Sequence, residues 1–477
     1  MAADDLAAAI GRLERALGEI TARVLHHGAG TAAPAMAVAY SGGLDSSVLL
    51  HLAHGYAQTH GIALHAFHVH HGLSPHADAW LAHCTATAAA LGISFDMRRV
   101  TIDPGSGEGV EGAARRARYA ALGAMCRQHG TALLLTAHHQ DDQAETVLLQ
   151  LLRGSGVAGL SGMDSANHAP ALLGDATTLM ARPLLTLART TLAELAAQHQ
   201  LAHVEDPSNQ DPRYARNALR TQVMPALDRH FPGFASRFAR SARHAQSAQE
   251  LLVELAMQDL AACSEGIVSA DNSAIRLDRL RELSAARADN LLRYWFGSRG
   301  MRMPSTAWLA ELRSQLFDAK ADAQILVRHP DCDLHRHRNR IVMTSRRTLP
   351  DPEREPADDA VSFVWSGQQS LHFAHFGGAL HFLPAEQGID AGWLHGRSLT
   401  LQARSAGWRL KLAANRPTRS LKYHYQAADI PLWERSGLPL VILGKELVFA
   451  AGLGTDCRFL SIHAGPMIAL RWQADVA

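Results

Sequence analysis

Lysine is almost missing from this chain. Lys320, Lys411, Lys422 and Lys445 are the only four in 477 residues, and arginine supplies the rest of the fixed positive charge. Before Lys320 there is no amine for a Walker-type loop and none for a covalent lysyl-adenylate. Arginine presents a flat fork matched to phosphate where lysine is a point charge, although codon usage explains the bias equally well. Cysteine is scarce too. Cys84, Cys126, Cys263, Cys332 and Cys457 never form a Cys-x-x-Cys pair, which excludes a zinc ribbon or a local iron–sulfur site. Their odd count fits reduced, inert thiols in a cytosolic protein. No apolar run reaches the roughly 18 residues of a membrane-spanning helix. The first residues carry Asp4, Asp5 and Glu14 and lack the layout of a secretory signal, so a cytoplasmic location is expected. A net charge of +1 excludes a uniformly basic nucleic-acid coat.

Hydrophobic residues make up 47%, enough for globular cores, and the length implies about two to four domains. Short apolar runs over 37–40, 62–69, 95–102 and 132–136 read as strands, with helical patterns between them. That alternation predicts an α/β fold built on a parallel sheet, with ligands beyond the carboxyl ends of the strands. From about 226 to 320 the chain is rich in Ala, Leu, Arg and Gln and reads as mainly helical. The run 349–356, with its prolines and charges, reads as a linker, and beyond it lies a small α+β region. The expected domains are 1–222, 223–348 and 360–477.

Two stretches carry the chemistry. Ala39-Tyr-Ser-Gly-Gly-Leu-Asp-Ser-Ser ends a strand, turns on two glycines and opens a helix. Glycine lets backbone N–H groups approach an oxyanion, and the helix N-terminus adds a favourable dipole. Ser41, Gly42, Gly43, Leu44, Asp45 and Ser46 are therefore expected to hold a nucleotide's phosphates. The second stretch, Thr136-Ala-His-His-Gln-Asp-Asp-Gln-Ala-Glu-Thr-Val, places Asp141, Asp142 and Glu145 on the first turns of a helix. Two histidines before three carboxylates also fit a zinc site on spacing alone.

The first stretch resembles the PP-loop of the ATP pyrophosphatases, which cleave the α–β bond of ATP. That resemblance implies Mg2+ held by Asp45 and Asp142, with His138 and Arg115 also on ATP. Further segments narrow it: His68-Val-His-His-Gly-Leu-Ser, Glu111-Gly-Ala-Ala-Arg-Arg-Ala-Arg-Tyr, Glu205-Asp-Pro-Ser-Asn and Arg216-Asn-Ala-Leu-Arg. In this order they resemble the tRNA(Ile)-lysidine synthase family across 36–220. The C-terminal match is looser, through Leu421-Lys-Tyr, Ile430-Pro-Leu-Trp-Glu-Arg and Pro439-Leu. The chain departs from the family pattern at His70, Ser74 and Gly112, and at Ala406-Gly-Trp-Arg, where an acid is usual.

The resemblance implies ligation of L-lysine to carbon 2 of the first anticodon cytidine of a tRNA(Ile) with a CAU anticodon, through an adenylated base. Asp45, Asp142, Glu145 and Arg216 are then the candidate catalytic residues, and Glu145 is a candidate for meeting an amine. Arg115 and Arg118 fall on one helix face, where they contact ATP or tRNA or form a plain salt bridge. Asn217 and Arg220 read as local capping and pairing. Between Arg397 and Lys422 lie seven basic and no acidic residues, with Trp408, Tyr423 and Tyr425 interleaved or adjacent. Arg409, Lys411, Arg419 and Lys422 are the tRNA contacts expected there, unless the stretch is only a solvated face. Arg336, Arg338 and Arg340 form a second candidate patch on one strand face. A sulfur-inserting PP-loop enzyme, a small-molecule PP-loop ligase and a non-catalytic tRNA-binding protein are the alternatives. The oligomeric state stays open, a homodimer included.

Overall fold

The computed structural model describes residues 3–27, 35–72, 74–102, 109–207, 215–265, 274–320, 325–337, 339–345, 360–405, 407–435, 437–461 and 465–475. The expected linker over 349–356, and Ser208, Asn209, Arg338 and Ala406, lie outside the described residues, as does the side chain of Glu111. The chain divides into two compact units, Met1–Asp259 and Leu260–Ala477.

The first unit opens with α1 (Ala3–His27), β1 (Ala35–Ala39), α2 (Leu44–His60), β2 (Ala63–His70), α3 (Ala77–Ala90), β3 (Ser94–Arg99), α4 (Gly109–Gln128) and β4 (Leu133–Leu135). It continues with α5 (Gln140–Leu152), α6 (Val157–Leu160), β5 (Ala166–His168), α7 (Pro170–Leu173), β6 (Leu179–Ala181) and α8 (Arg189–Gln198). The six strands form one sheet in the order β3-β2-β1-β4-β6-β5, parallel except for β5, which runs antiparallel to β6. The central strands β1, β4 and β6 are buried on both faces. Met36, Val38, Leu133 and Leu135 pack with α1, α2 and α8, while Ala37, Leu134 and Met180 pack with α4 and α7. Period-two alternation sends neighbouring side chains into opposite cores, which is why these strands are apolar throughout. β1 pairs with β2 on one side and β4 on the other, so the strand order reverses there and opens a crevice at their carboxyl ends.

After α8 come α9 (Ala215–Ala218), a π-helical turn over Leu219–Val223, α10 (Met224–His230) and the long α11 (Phe234–Ser264). The second unit starts with β7 (Ala274–Arg276), α12 (Leu277–Glu282), α13 (Ala285–Ser298), α14 (Thr306–Asp318), β8 (Leu326–Arg328), β9 (Cys332–His337) and β10 (Arg340–Ser345). The helices are as expected, and they pack through Leu291, Trp295, Leu309 and Leu312 onto a four-stranded antiparallel sheet, β7-β10-β9-β8. That sheet overturns the reading of Arg336 and Arg340 as one basic face. They sit on opposite arms of a hairpin, and Arg336 is buried, donating to the carbonyls of Leu316 and Ala319.

The remainder is antiparallel. β11 (Ala360–Val364), β12 (Ser370–Phe373), β13 (Gly378–Ala385), β14 (Ile389–Asp390) and β15 (Ser398–Gln402) are followed by β16 (Arg409–Leu410), β17 (Arg419–Ser420), β18 (Leu440–Leu443), β19 (Glu446–Ala450), β20 (Gly454–Thr455) and β21 (Met467–Ala474). They form one five-stranded and one four-stranded sheet around Leu380, Leu399, Leu401, Val441 and Val448, with β16 and β17 as a separate ribbon. Three short helices, α15 (Ala391–Leu394), α16 (Leu421–Ala427) and α17 (Leu432–Arg435), complete it. No described helix is long and apolar enough to cross a membrane. All five cysteines are free thiols, four of them buried.

Candidate active site

β1 delivers Ser41 to the crevice, and the turn that follows depends on Gly42. Its φ of +84° is a region L side chains rarely enter, and a Cβ there would stand 2.9 Å from Cys84 Sγ and 3.2 Å from Val204 Cγ2. The loop is fixed from behind by Val204 N–H, which donates to Gly42 O at 2.9 Å. Gly43 is the N-cap of α2 and has no side chain to cap it, so the first amides of the helix face outward for an external acceptor. Ser46 Oγ donates to Gly43 O and lies 3.0 Å from Ser41 Oγ, which holds both hydroxyls at the mouth of the loop.

β4 delivers the second stretch beside it. His139 caps α5, with its ring accepting from Asp142 N–H while Asp142 Oδ2 accepts from His139 N–H. This reciprocal cap fixes the first turn, where Asp141, Asp142 and Glu145 stand. The His139 ring is buried, with Asp142 at 3.4 Å, Asp141 at 3.6 Å and Asp45 at 3.7 Å. Burial works to lower its pKa, yet the three carboxylates outweigh it and the net direction is upward. Asp45 and Asp142 thus meet at one ring nitrogen although 97 residues separate them in sequence. Burial raises the pKa of Asp45 against the opposing pull of His139 and Arg189, and its Oδ1 is buried with no hydrogen bond.

Arg220 closes the acidic cluster. Its Nε and terminal nitrogen donate to the two oxygens of Glu145 at 2.6 and 3.0 Å, and that same terminal nitrogen reaches Asp142 Oδ1 at 3.0 Å. Glu145 is buried, which raises its pKa despite this fork. The sequence reading of Arg220 as a local capping residue is corrected by these partners, 75 and 78 positions away. Arg189, at the start of α8, lies 3.9 Å from Asp45 and donates its backbone N–H to Asp141.

A cationic wall stands next to these acids. Arg115 and Arg118 lie 4.8 and 5.3 Å from the Tyr119 ring centroid, and neither has a carboxylate partner among the described residues. Burial lowers the pKa of Arg118, and Arg115 and Arg216 lower it further by repulsion. Burial also lowers the pKa of His138, with Arg182, Arg115 and Arg118 adding to it against Asp142, so its ring is neutral and bonded to Thr136 Oγ1 at 3.0 Å. His71 is pushed down to about 4, by burial first and by Arg118 next. Arg182, just beyond β6, donates to Asp164 O and Asn167 Oδ1 and keeps a buried Nε without a partner. So many half-buried cations and neutral imidazoles in one place suit an anion.

The structure therefore gathers Ser41 to Ser46, Arg115, Arg118, His138, Asp142, Glu145 and Arg216 at one set of strand ends. Sequence reading missed His139, Arg182, Arg189 and Arg220. His139 had a visible signal, as the second of two histidines before the acids, and Arg220 closed the Arg216-Asn-Ala-Leu-Arg segment but was read as a local partner.

In the C-terminal region Arg409, Arg419 and Lys422 are exposed on the β16–β17 ribbon and the start of α16. Arg409 donates to Thr418 O, and Arg419 lies 5.4 Å over the ring of Tyr423, itself 53% exposed. Lys411 is half-buried, its backbone N–H bonded to Asp456. Tyr425 cannot stack on a base: it is fully buried, and its hydroxyl donates to Ala451 O.

Three family models match in succession: a PP-loop domain over residues 13–227, a TilS substrate binding domain over 276–342 and a TilS substrate C-terminal domain over 399–472. The tRNA(Ile)-lysidine synthase of Ralstonia nicotianae is 42% identical over 444 residues, covering 91% of this chain and 92% of that protein. The one from Pseudomonas aeruginosa is 40% identical, covering 87% and 89%, and the one from Nitrosomonas europaea 35%, covering 92% of each. Among solved structures, the U34-tRNA thiolase NcsA from Methanococcus maripaludis is 18% identical over 44% of this chain and 71% of its own, with a TM-score of 0.38, too distant to add to the assignment. With its catalytic and both accessory regions matched, the chain belongs to the tRNA(Ile)-lysidine synthases, ATP-using ligases that modify tRNA.

Proposed function

We propose that this enzyme joins L-lysine to carbon 2 of the cytidine at the first anticodon position of a tRNA(Ile) with a CAU anticodon. In the first step the cytosine O2 attacks the α-phosphorus of ATP, forming a base adenylate and releasing pyrophosphate. In the second the lysine ε-amine attacks carbon 2, loses a proton, and AMP departs with the former O2 oxygen. The observation that carries this reading is the meeting of an open phosphate loop, a cationic wall whose Arg115 and Arg118 have no carboxylate partner among the described residues, and a carboxylate pair in one crevice. The first suits a triphosphate, the second the charge that develops on it, and the third an amine.

In this reading the amides from Gly43 onward, with Ser41 and Ser46, hold the leaving pyrophosphate. Arg115, Arg118, Arg182 and Arg216 oppose the charge of the α-phosphate and the RNA backbone. Neutral His138 faces the nucleotide as a hydrogen-bonding group. Asp142 and Glu145 receive the lysine ammonium, which must shed its proton before attack.

A magnesium ion fits Asp45, whose Oδ1 is buried without a hydrogen bond, with Asp142 beside it. Phosphate and water oxygens would complete its coordination. Bound there, it would neutralise the triphosphate. Residues 1–222 are assigned to catalysis, with 223–348 and 360–477 to tRNA contacts.

The test is transfer of radiolabelled lysine to a tRNA(Ile) transcript with a CAU anticodon, beside an Asp45→Ala variant. ATP-dependent incorporation that survives mild base, which strips aminoacyl esters, and that falls by about a hundredfold or more in the variant is expected. Pyrophosphate release without lysine uptake would refute the substrate while leaving the ATP chemistry standing.

A further inference from the structure

Arg220 sits where a cationic substrate should go. Both oxygens of Glu145 accept from its guanidinium, and Asp142 Oδ1 accepts from it as well. The fourth oxygen, Asp142 Oδ2, already accepts from His139 N–H. Every oxygen of the carboxylate pair thus has a donor. The two partners differ in depth: the Glu145 side chain is 3% exposed and that of Arg220 is 37%. The guanidinium lies on the solvent side of the carboxylate, as a cover lies on a well.

Stripping the cover from Glu145 without replacement would leave a buried carboxylate unpaired, which is costly. Exchange of one cation for another avoids that state. The backbone beneath Arg220 is suited to movement, because Leu219–Val223 is a π-helical turn closed by Met224 N–H on Leu219 O. Such turns insert one extra residue into a helix, occur mostly as single turns, and are frequent at functional sites.

We propose that Arg220 is an internal stand-in for the substrate ammonium: it seals the Asp142–Glu145 pair in the empty enzyme and swings away on the π turn when lysine enters. Arg220 is then a positioning residue that sets lysine affinity through competition, and the idea rests on the reading that this carboxylate pair receives the lysine amine. The closed state taxes lysine binding, since the apparent constant is the intrinsic one divided by the open fraction.

The test is the lysine dependence of lysidine formation by the full chain carrying Arg220→Gln, with Arg220→Lys and Glu145→Gln alongside. Removing the competitor should lower the lysine KM by about threefold to tenfold. Guanidinium chloride at millimolar concentration, refilling the vacated place, should restore the wild-type KM in Arg220→Gln and leave the wild type unchanged. Arg220→Lys, with a single ammonium in place of the fork, should fall between the two. A higher lysine KM in both Arg220 variants, with no effect of guanidinium, would overturn the proposal by making Arg220 a support of the site. If Arg220→Gln does not fold, Arg220→Lys alone decides by the direction of its KM. An unchanged lysine KM in Glu145→Gln would instead sink the parent reading that the pair binds lysine, and that outcome is separate from the behaviour of Arg220.

Discussion

At Gly42 a side chain meets two obstacles at once, a φ of +84° and the sulfur of Cys84 at 2.9 Å. Gly42→Ala is expected to cost about 1–2 kcal/mol in backbone strain alone and to weaken ATP binding as the loop shifts, measured by denaturant unfolding and by nucleotide titration. Asp456 makes a different case. It is buried, and burial works to raise its pKa, but the Arg458 guanidinium and the amides of Arg458 and Lys411 outweigh it and hold the carboxyl below its ordinary range. Folding therefore favours the charged form. The stabilisation is fully present above the unfolded value of about 3.9 and is lost as pH falls through the lower folded pKa. Asp456→Ala should lower stability by about 2 kcal/mol at neutral pH, with the gap to the wild type shrinking below about pH 4, followed by thermal melts across pH. At this scale the sequence was most legible where function is local. Asp45, Asp142 and Glu145 lie in continuous motifs, whereas Arg182, Arg189 and Arg220 reach the site only through the fold. Their identity as arginines carries no spacing signal.

Among elements, α5 does most to organise the site. Its N-terminus is set by the His139 cap, and its first turns present the acids. Its buried Gln143 clasps the following loop, accepting from Met163 N–H and donating to Met163 O, while Gln246 of α11 donates to that same carbonyl and to Ser161 O. Gln143→Leu leaves the Met163 N–H orphaned, and its carbonyl still paired, so a loss of about 1–3 kcal/mol is expected in chemical denaturation. Ala144 and Val147 are buried, but Leu151 and Leu152 are 50% and 69% exposed, beyond the reach of the core. β1 to β4 were legible as apolar runs between helices. β5 and β6 were not, because β5 holds Asn167 and His168 and the short apolar run of β6 is cut off by Thr178 and Arg182. The β7–β10 sheet was hidden because its strands are short, and β9 has only Cys332 and Leu334 as apolar residues before His335, Arg336 and His337, although five of its six residues are buried.

For the whole molecule, a mainly parallel catalytic region, a helix-rich middle and an antiparallel C-terminal region follow one another along the chain. Composition shifts marked that order, but they carried no information on which basic side chains remain free. Exposed Arg409, Arg419 and Lys422 are the proposed phosphate contacts. Arg419→Ala with Lys422→Ala should weaken tRNA binding across salt concentrations and flatten the salt slope by about 1 for each phosphate no longer neutralised, with ATP affinity unchanged. A filter-binding titration at several ionic strengths checks this.

In the proposed reaction ATP is split between its α and β phosphates to drive attachment of an amine to RNA. The most direct measurement follows α-labelled ATP, labelled lysine and the tRNA in one reaction and counts products. AMP, pyrophosphate and tRNA-bound lysine are expected in equal amounts, all dependent on the CAU transcript. ADP in place of AMP, or AMP formed without matching lysine on the tRNA, would contradict it.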